Sequence, residues 1–194
     1  MNKAKGVELK MKSKEANLFD IIYKNGTTYE DYLAYVGQIS NINYVGYNNR
    51  SYLHLSLQNK YYEIFDDLLQ RGIDVNIQDD AGNTAAVYAA SGKQWECVYK
   101  ILDHHPDVDV QNRKGETLLI KVLEYAGKFY MDDRYKLLKR LVDMGADPLI
   151  PNICGLTSMR LAELQGDEKA VEIFKRHIFS SDTGITDVDD EHCQ

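Results

Sequence analysis

Thr84-Ala85-Ala86-Val87-Tyr88-Ala89 has a counterpart 33 residues to either side: Ser51-Tyr52-Leu53-His54-Leu55-Ser56 before it and Thr117-Leu118-Leu119-Ile120 after it. A fourth start, Thr157-Ser158-Met159-Arg160-Leu161-Ala162, follows 40 residues after the third. Two residues before each start stands a residue that tolerates positive φ: Asn49, Gly82, Gly115 or Gly155. Three residues further back are the turn formers Gly46, Asp79, Asn112 and Asn152. A recurring turn therefore feeds a recurring helix, whose first N–H groups a Ser or Thr hydroxyl is placed to cap.

The second half of each unit repeats as well. Gly72-Ile73-Asp74-Val75-Asn76 matches His105-Pro106-Asp107-Val108-Asp109 and Gly145-Ala146-Asp147-Pro148. Ahead of these lie the apolar pairs Leu68-Leu69, Ile101-Leu102 and Leu141-Val142. Four residues earlier come Ile64-Phe65, Cys97-Val98 and Leu137-Leu138. Spacing of i, i+1, i+4, i+5 gives a helix with one buried face. Gly72 and Gly145 are placed to end that helix in the left-handed conformation, while His105 makes the second ending less regular. Upstream, Ile42-Asn43 stands 33 residues before Val75-Asn76, with Asp31–Val36 as a further outer helix capped by Thr28 and Asp31.

The third unit carries seven extra residues between Thr117 and Leu137. Such an insertion maps to a loop, or else lengthens the inner helix and widens the connection after it. Gly127 is the expected break, and Asp132 or Asp133 the expected new N-cap.

Composition removes several function classes. The 194 residues are 44% hydrophobic and 27% charged, a globular balance. Lys and Arg number 23 against 30 Asp and Glu, and a net charge of −7 disfavours nucleic acid. No apolar run approaches the ~18–20 residues of a membrane span. Residues 1–14 hold five Lys and one Glu, with no apolar segment of a secretory signal behind them. Residues 180–194 hold five acids and no base. Both ends read as flexible tails flanking a folded body at 15–179. Three widely spaced cysteines imply no disulfide framework and point to a cytoplasmic setting.

Catalytic constellations are missing from the sequence. It has no G-x-S-x-G, no Walker loop and no H-E-x-x-H. His104 and His105 lack Cys or His partners at zinc spacing. Cys97 falls on an apolar helix face, where a thiol is inert. Asp66-Asp67 and Asp132-Asp133 are neighbours that do not face each other on a helix, and a solvated face or cap is their expected setting. No enzyme, metal or cofactor is expected.

The 33-residue period with its Thr-x-Leu-His-x-Ala-like starts resembles the ankyrin repeat. The resemblance covers residues 46–179 as four repeats, with 15–45 as a degenerate capping repeat. It implies an all-α solenoid of stacked helix-turn-helix units with short hairpin fingers. Two departures stand out. The family's proline is replaced by Tyr52, Ala85, Leu118 and Ser158, and its histidine survives only as His54. The family binds proteins through finger tips and the exposed inner-helix face. Carried over, those positions select Tyr47, Asn48, Arg50, Asp80, Asn83, Arg113, Lys114, Glu116, Glu124, Tyr125, Ile153 and Leu156. The resemblance implies a monomeric, non-catalytic inhibitor of a protein with a basic surface, such as an immunity protein that neutralises a bacterial toxin. The alternative is a scaffold, a signalling adaptor or a secreted bacterial effector acting on a host protein.

Overall fold

Each apolar quartet marked by the sequence is a buried helix face. Ile64, Phe65, Leu68 and Leu69 are at most 4% exposed, and Cys97, Val98, Ile101, Leu102, Leu137, Leu138, Leu141 and Val142 are buried likewise. Burying one such side chain is worth about 1.5–3 kcal/mol, so four per helix decide which face turns inward. The structure, a computed structural model, describes residues 13–125 and 131–183. Among the described residues are ten α-helices and no strand.

The chain divides into two compact units, residues 1–80 and 81–194. The first contains α1 (Lys14–Tyr23), α2 (Tyr29–Val36), α3 (Tyr52–Asn59) and α4 (Tyr62–Gln70). Here α1 packs on α2 and α3, and α3 packs on α4. The second contains α5 (Ala85–Ser91), α6 (Trp95–Leu102), α7 (Leu118–Tyr125), α8 (Met131–Asp143), α9 (Ser158–Leu164) and α10 (Glu168–Thr183). Its inner helices α5, α7 and α9 pack in sequence, each against its own outer helix α6, α8 or α10.

The expected Thr28–Asp31 cap is present at the head of α2. Thr28 N–H donates to Asp31 Oδ2 at 3.1 Å, and Asp31 N–H to Thr28 Oγ1 at 3.1 Å, closing a reciprocal box. Leu18, Phe19 and Ile22 of α1 and Tyr32 and Val36 of α2 are buried. Helical structure runs past both expected tail boundaries, toward the termini. Ser13 caps α1 by accepting from Ala16 N–H at 3.1 Å, and Lys14 opens that helix. At the other end α10 continues through Thr183. Asp67 also departs from expectation. It accepts from Tyr32 Oη at 2.5 Å and from Arg71 Nε at 2.5 Å, tying α2 to α4. Burial pushes this carboxyl up, but those two bonds outweigh it and hold the group below its ordinary range.

The inner-helix caps divide into three kinds. Thr84 Oγ1 accepts from Val87 N–H at 3.4 Å, and Thr157 Oγ1 from Arg160 N–H at 3.0 Å. At Ser51 the fully buried His54 takes part instead. Ser51 N–H donates to His54 Nδ1 at 3.3 Å, and Ser51 Oγ lies 2.8 Å from the same nitrogen. Thr117 corrects the expectation, because its hydroxyl is buried without any hydrogen-bond partner. The outer helices end as read, with Gly72 at φ +75° and Gly145 at φ +97°. His105 takes the same left-handed backbone at φ +50°, which a side chain opposes.

The insertion follows the second expectation for three of its seven residues and departs from it for the other four. Relative to the repeat before it, the third repeat has one more residue in α7 and two more between its helices. The remaining four add a first turn, Met131–Arg134, to α8. Asp132 and Asp133 lie inside that turn, so neither is its N-cap, and Gly127 lies outside the described residues. The added turn carries Arg134 to a buried ion pair with Asp167. Asp167 also caps α10, accepting from Ala170 N–H at 3.1 Å, and accepts from Tyr135 Oη at 2.9 Å. One ion pair and two hydrogen bonds converge on this carboxylate, and together they tie α8 to the start of α10.

Candidate functional site

The turns ahead of the inner helices are narrow fingers, built by the same bonds each time. Asn112 N–H donates to Glu116 O at 3.1 Å and Asn152 N–H to Leu156 O at 2.9 Å, closing two hairpins of the second unit. Asparagine recurs at their base because its side chain satisfies the turn. Asn112 Oδ1 accepts from Lys114 and Glu116 N–H, and Asn152 Oδ1 from Cys154 and Leu156 N–H, all at 2.9–3.0 Å.

Neighbouring fingers are bonded main chain to main chain. Arg113 N–H donates to Ala81 O at 2.9 Å, and Ile153 N–H to Lys114 O at 3.0 Å. This close approach explains two glycines. A Cβ on Gly82 would sit 2.7 Å from Arg113 N, and one on Gly115 would sit 2.9 Å from Asn152 Cα and Ile153 N. Both also stand at positive φ. The fingers thereby hold fixed positions before any partner arrives, which lowers the entropic cost of binding.

The exposed tips of the second unit are Arg113, Lys114, Ile153 and Cys154. Ile153 is 73% exposed, an apolar side chain standing in solvent beside two cations. Neither cation has an ion pair among the described residues. Behind them lies an ionic cluster that sequence reading missed. Lys121 Nζ lies 2.6 Å from Glu116 Oε2 and 2.9 Å from Glu124 Oε2, with the Lys121 and Glu116 side chains 8% and 10% exposed. Asn112 Nδ2 adds bonds to Glu116 at 2.8 Å and to Asn83 Oδ1 at 3.0 Å. Burial pushes the Glu116 carboxyl up, but Lys121 and Asn112 outweigh it and hold the group low. Burial pushes the Lys121 ammonium down, and the two glutamates more than restore it. The cluster locks finger to helix. Its only sequence signal was opposite charges at 116, 121 and 124.

Of the twelve expected contact positions, those of the second unit fall into distinct settings. Arg113, Lys114 and Ile153 are exposed tips, and Glu124 is exposed but holds Lys121. Asn83 and Leu156 are half-buried. Glu116 is buried in the ionic cluster, which corrects its placement on the open surface. Tyr125 ends α7, and its side chain lies outside the described residues. In the first unit Tyr47 is 62% exposed and packs edge-on against Phe19, with ring centroids 5.9 Å apart. Asn48 O accepts from Asp80 N–H at 2.8 Å, and both side chains are exposed. Arg50 is half-buried and bonded to Gln58.

Among the described residues no group of three or more His, Cys, Asp or Glu could hold a metal ion, and no described helix is long and apolar enough to cross a membrane. Cys97 is buried and Cys154 exposed. A family model described as ankyrin repeats (3 copies) matches residues 53–152.

Proposed function

The chain belongs to the ankyrin repeat family, a protein–protein interaction module, and from that premise we propose that it is a non-catalytic binder that occludes a protein target. The observation that carries this reading is the bonded finger row of the second unit. It holds an exposed apolar Ile153 beside Arg113 and Lys114, using only the backbone of these three residues and none of their side chains. Exposed apolar and Arg side chains on a rigid support are what interface hot spots are made of.

The finer reading is an inhibitor working in the cytoplasm as a monomer, of the kind that neutralises a bacterial toxin. It draws support from family analogy and from the net charge of −7, which would speed encounter with a basic target. The test is affinity capture from the source organism and identification of the partner, followed by titration of Arg113→Ala and Ile153→Ala. Each should weaken binding by about 2 kcal/mol, roughly thirtyfold, with the fold intact. A partner indifferent to both changes would exclude the finger row as the contact surface.

A further inference from the structure

The exposed finger tips of the second unit carry a sign of charge opposite to that of the chain. Arg113 and Lys114 are cationic, Ala81, Ile153 and Cys154 are uncharged, and none of these five is acidic, in a chain of net charge −7. The acids of the cluster behind the tips are committed to Lys121, Glu116 at 2.6 Å and Glu124 at 2.9 Å. Lys114 acts on Glu116 only through space, helping to hold its carboxyl low. Asp80, exposed on the turn before, bonds through its N–H to Asn48 O and enters no ion pair among the described residues. The two cations of the tips therefore stand in water without a direct counter-ion.

Their position makes that matter. Ile153 N–H bonds to Lys114 O at 3.0 Å, so the most exposed apolar side chain of the row is seated directly against the cationic finger. A partner that covers Ile153 also takes water from Arg113 and Lys114. Desolvating a cation is costly unless an acid arrives with the surface that covers it. The finger cannot swing aside to avoid this, because Gly115 meets Asn152 and Ile153 at contact distance and Arg113 N–H is bonded to Ala81 O. A uniformly basic surface would be repelled here. The acidic body acts on a partner from a distance, whereas the tips select which part of its surface is admitted.

Resting on the finger row as the contact surface, we propose that the second unit's fingers take an acidic segment of a protein partner, one that sets a large apolar side chain against Ile153 and Asp or Glu side chains against Arg113 and Lys114. The Arg113 guanidinium offers a planar fork to one carboxylate, and Lys114 offers a point charge to a second. Neither has to leave an internal partner to do so.

The probe is a random dodecapeptide library displayed on phage and selected on the immobilised full-length protein. Sequences that place Asp or Glu beside Leu, Ile, Phe or Trp should be enriched, and the double variant Arg113→Glu, Lys114→Glu should not retain them. Since neither side chain holds the fold together, that variant should melt with the parent. The best peptide, synthesised and labelled, is then titrated by fluorescence anisotropy. Arg113→Glu should weaken it at least about threefold more than Arg113→Ala does, because repulsion replaces the lost attraction. Ile153→Ala should weaken it too, and added salt should lower the parent's affinity. A version of the peptide with Lys in place of its acids should prefer the double variant to the parent. Backbone amide shifts should centre on residues 112–115 and 152–155. Enrichment of basic or uncharged sequences, equal losses for the Ala and Glu variants, or no enrichment at all would overturn the proposal. If such peptides still shift the finger amides and still need Ile153, only the acidic chemistry fails; if the shifts centre elsewhere, the finger row itself fails as the contact surface.

Discussion

Replacing Lys121 by Met removes one ammonium from the ionic cluster behind the fingers and leaves the rest in place. Glu116 would then be a carboxylate only 10% exposed, with Asn112 as its remaining side-chain partner. Removing one member of a buried pair costs about 3–5 kcal/mol. The surviving Asn112 bond and the freedom of Glu124, 33% exposed, to turn to water bring the expectation to about 2–4 kcal/mol. The pH dependence fixes the cause. In the parent, the lowered Glu116 pKa contributes stability above the unfolded value, and that stability is lost as pH falls through the folded value. In Lys121→Met, desolvation dominates and raises the Glu116 pKa. The variant's penalty is then full at neutral pH and shrinks as the carboxyl protonates. Urea unfolding of both proteins at pH 7 and pH 4 measures this. The double variant Lys121→Met, Glu116→Gln should recover at least about 1 kcal/mol at pH 7 relative to Lys121→Met alone, because no buried charge is left unpaired. A loss under about 0.5 kcal/mol, or one that grows on acidification, would refute the reasoning.

Four further outcomes are expected from the backbone and caps. Thr84→Val should cost about 1 kcal/mol by deleting the bond to Val87 N–H. Thr117→Val should be neutral or stabilising, since the hydroxyl it removes is buried and unpartnered; chemical denaturation of the pair shows whether the two identical-looking caps differ. His105→Gly should raise stability by about 1 kcal/mol, seen as a higher melting temperature, by relieving the left-handed backbone at φ +50°. Gly115→Ala should cost about 2 kcal/mol or more by forcing Asn152 and Ile153 away, and hydrogen exchange at the Ile153 amide should speed up with it.

Sequence legibility tracked how local each determinant is. The finger turns, the Thr28–Asp31 box and the buried quartets all depend on residues within about one helical turn, so their period exposed them. Glu116 was misplaced because turn chemistry fixes its backbone while the burial of its side chain is decided by Lys121, on the following helix. Thr117 shares its position and residue type with Thr84 yet makes no bond, a difference of side-chain geometry that residue type does not encode. The added turn of α8 escaped notice because Asp132 and Asp133 are natural caps and drew the expected helix start past Met131.

The bonding of finger to finger has an evolutionary consequence. None of the bonds that fix these hairpins draws on a tip side chain: Arg113, Lys114, Ile153 and Cys154 contribute only backbone groups, while the asparagines at the base, Gln111 and the Glu116–Lys121 pair supply the side-chain bonds. Natural variation at the tips is thereby uncoupled from folding, so a lineage can retarget the surface one side chain at a time without first acquiring compensating changes in the core. The freedom ends at Gly82 and Gly115, where any side chain meets the next finger. Divergent relatives should accordingly vary freely at the four tip positions while retaining glycine at those two.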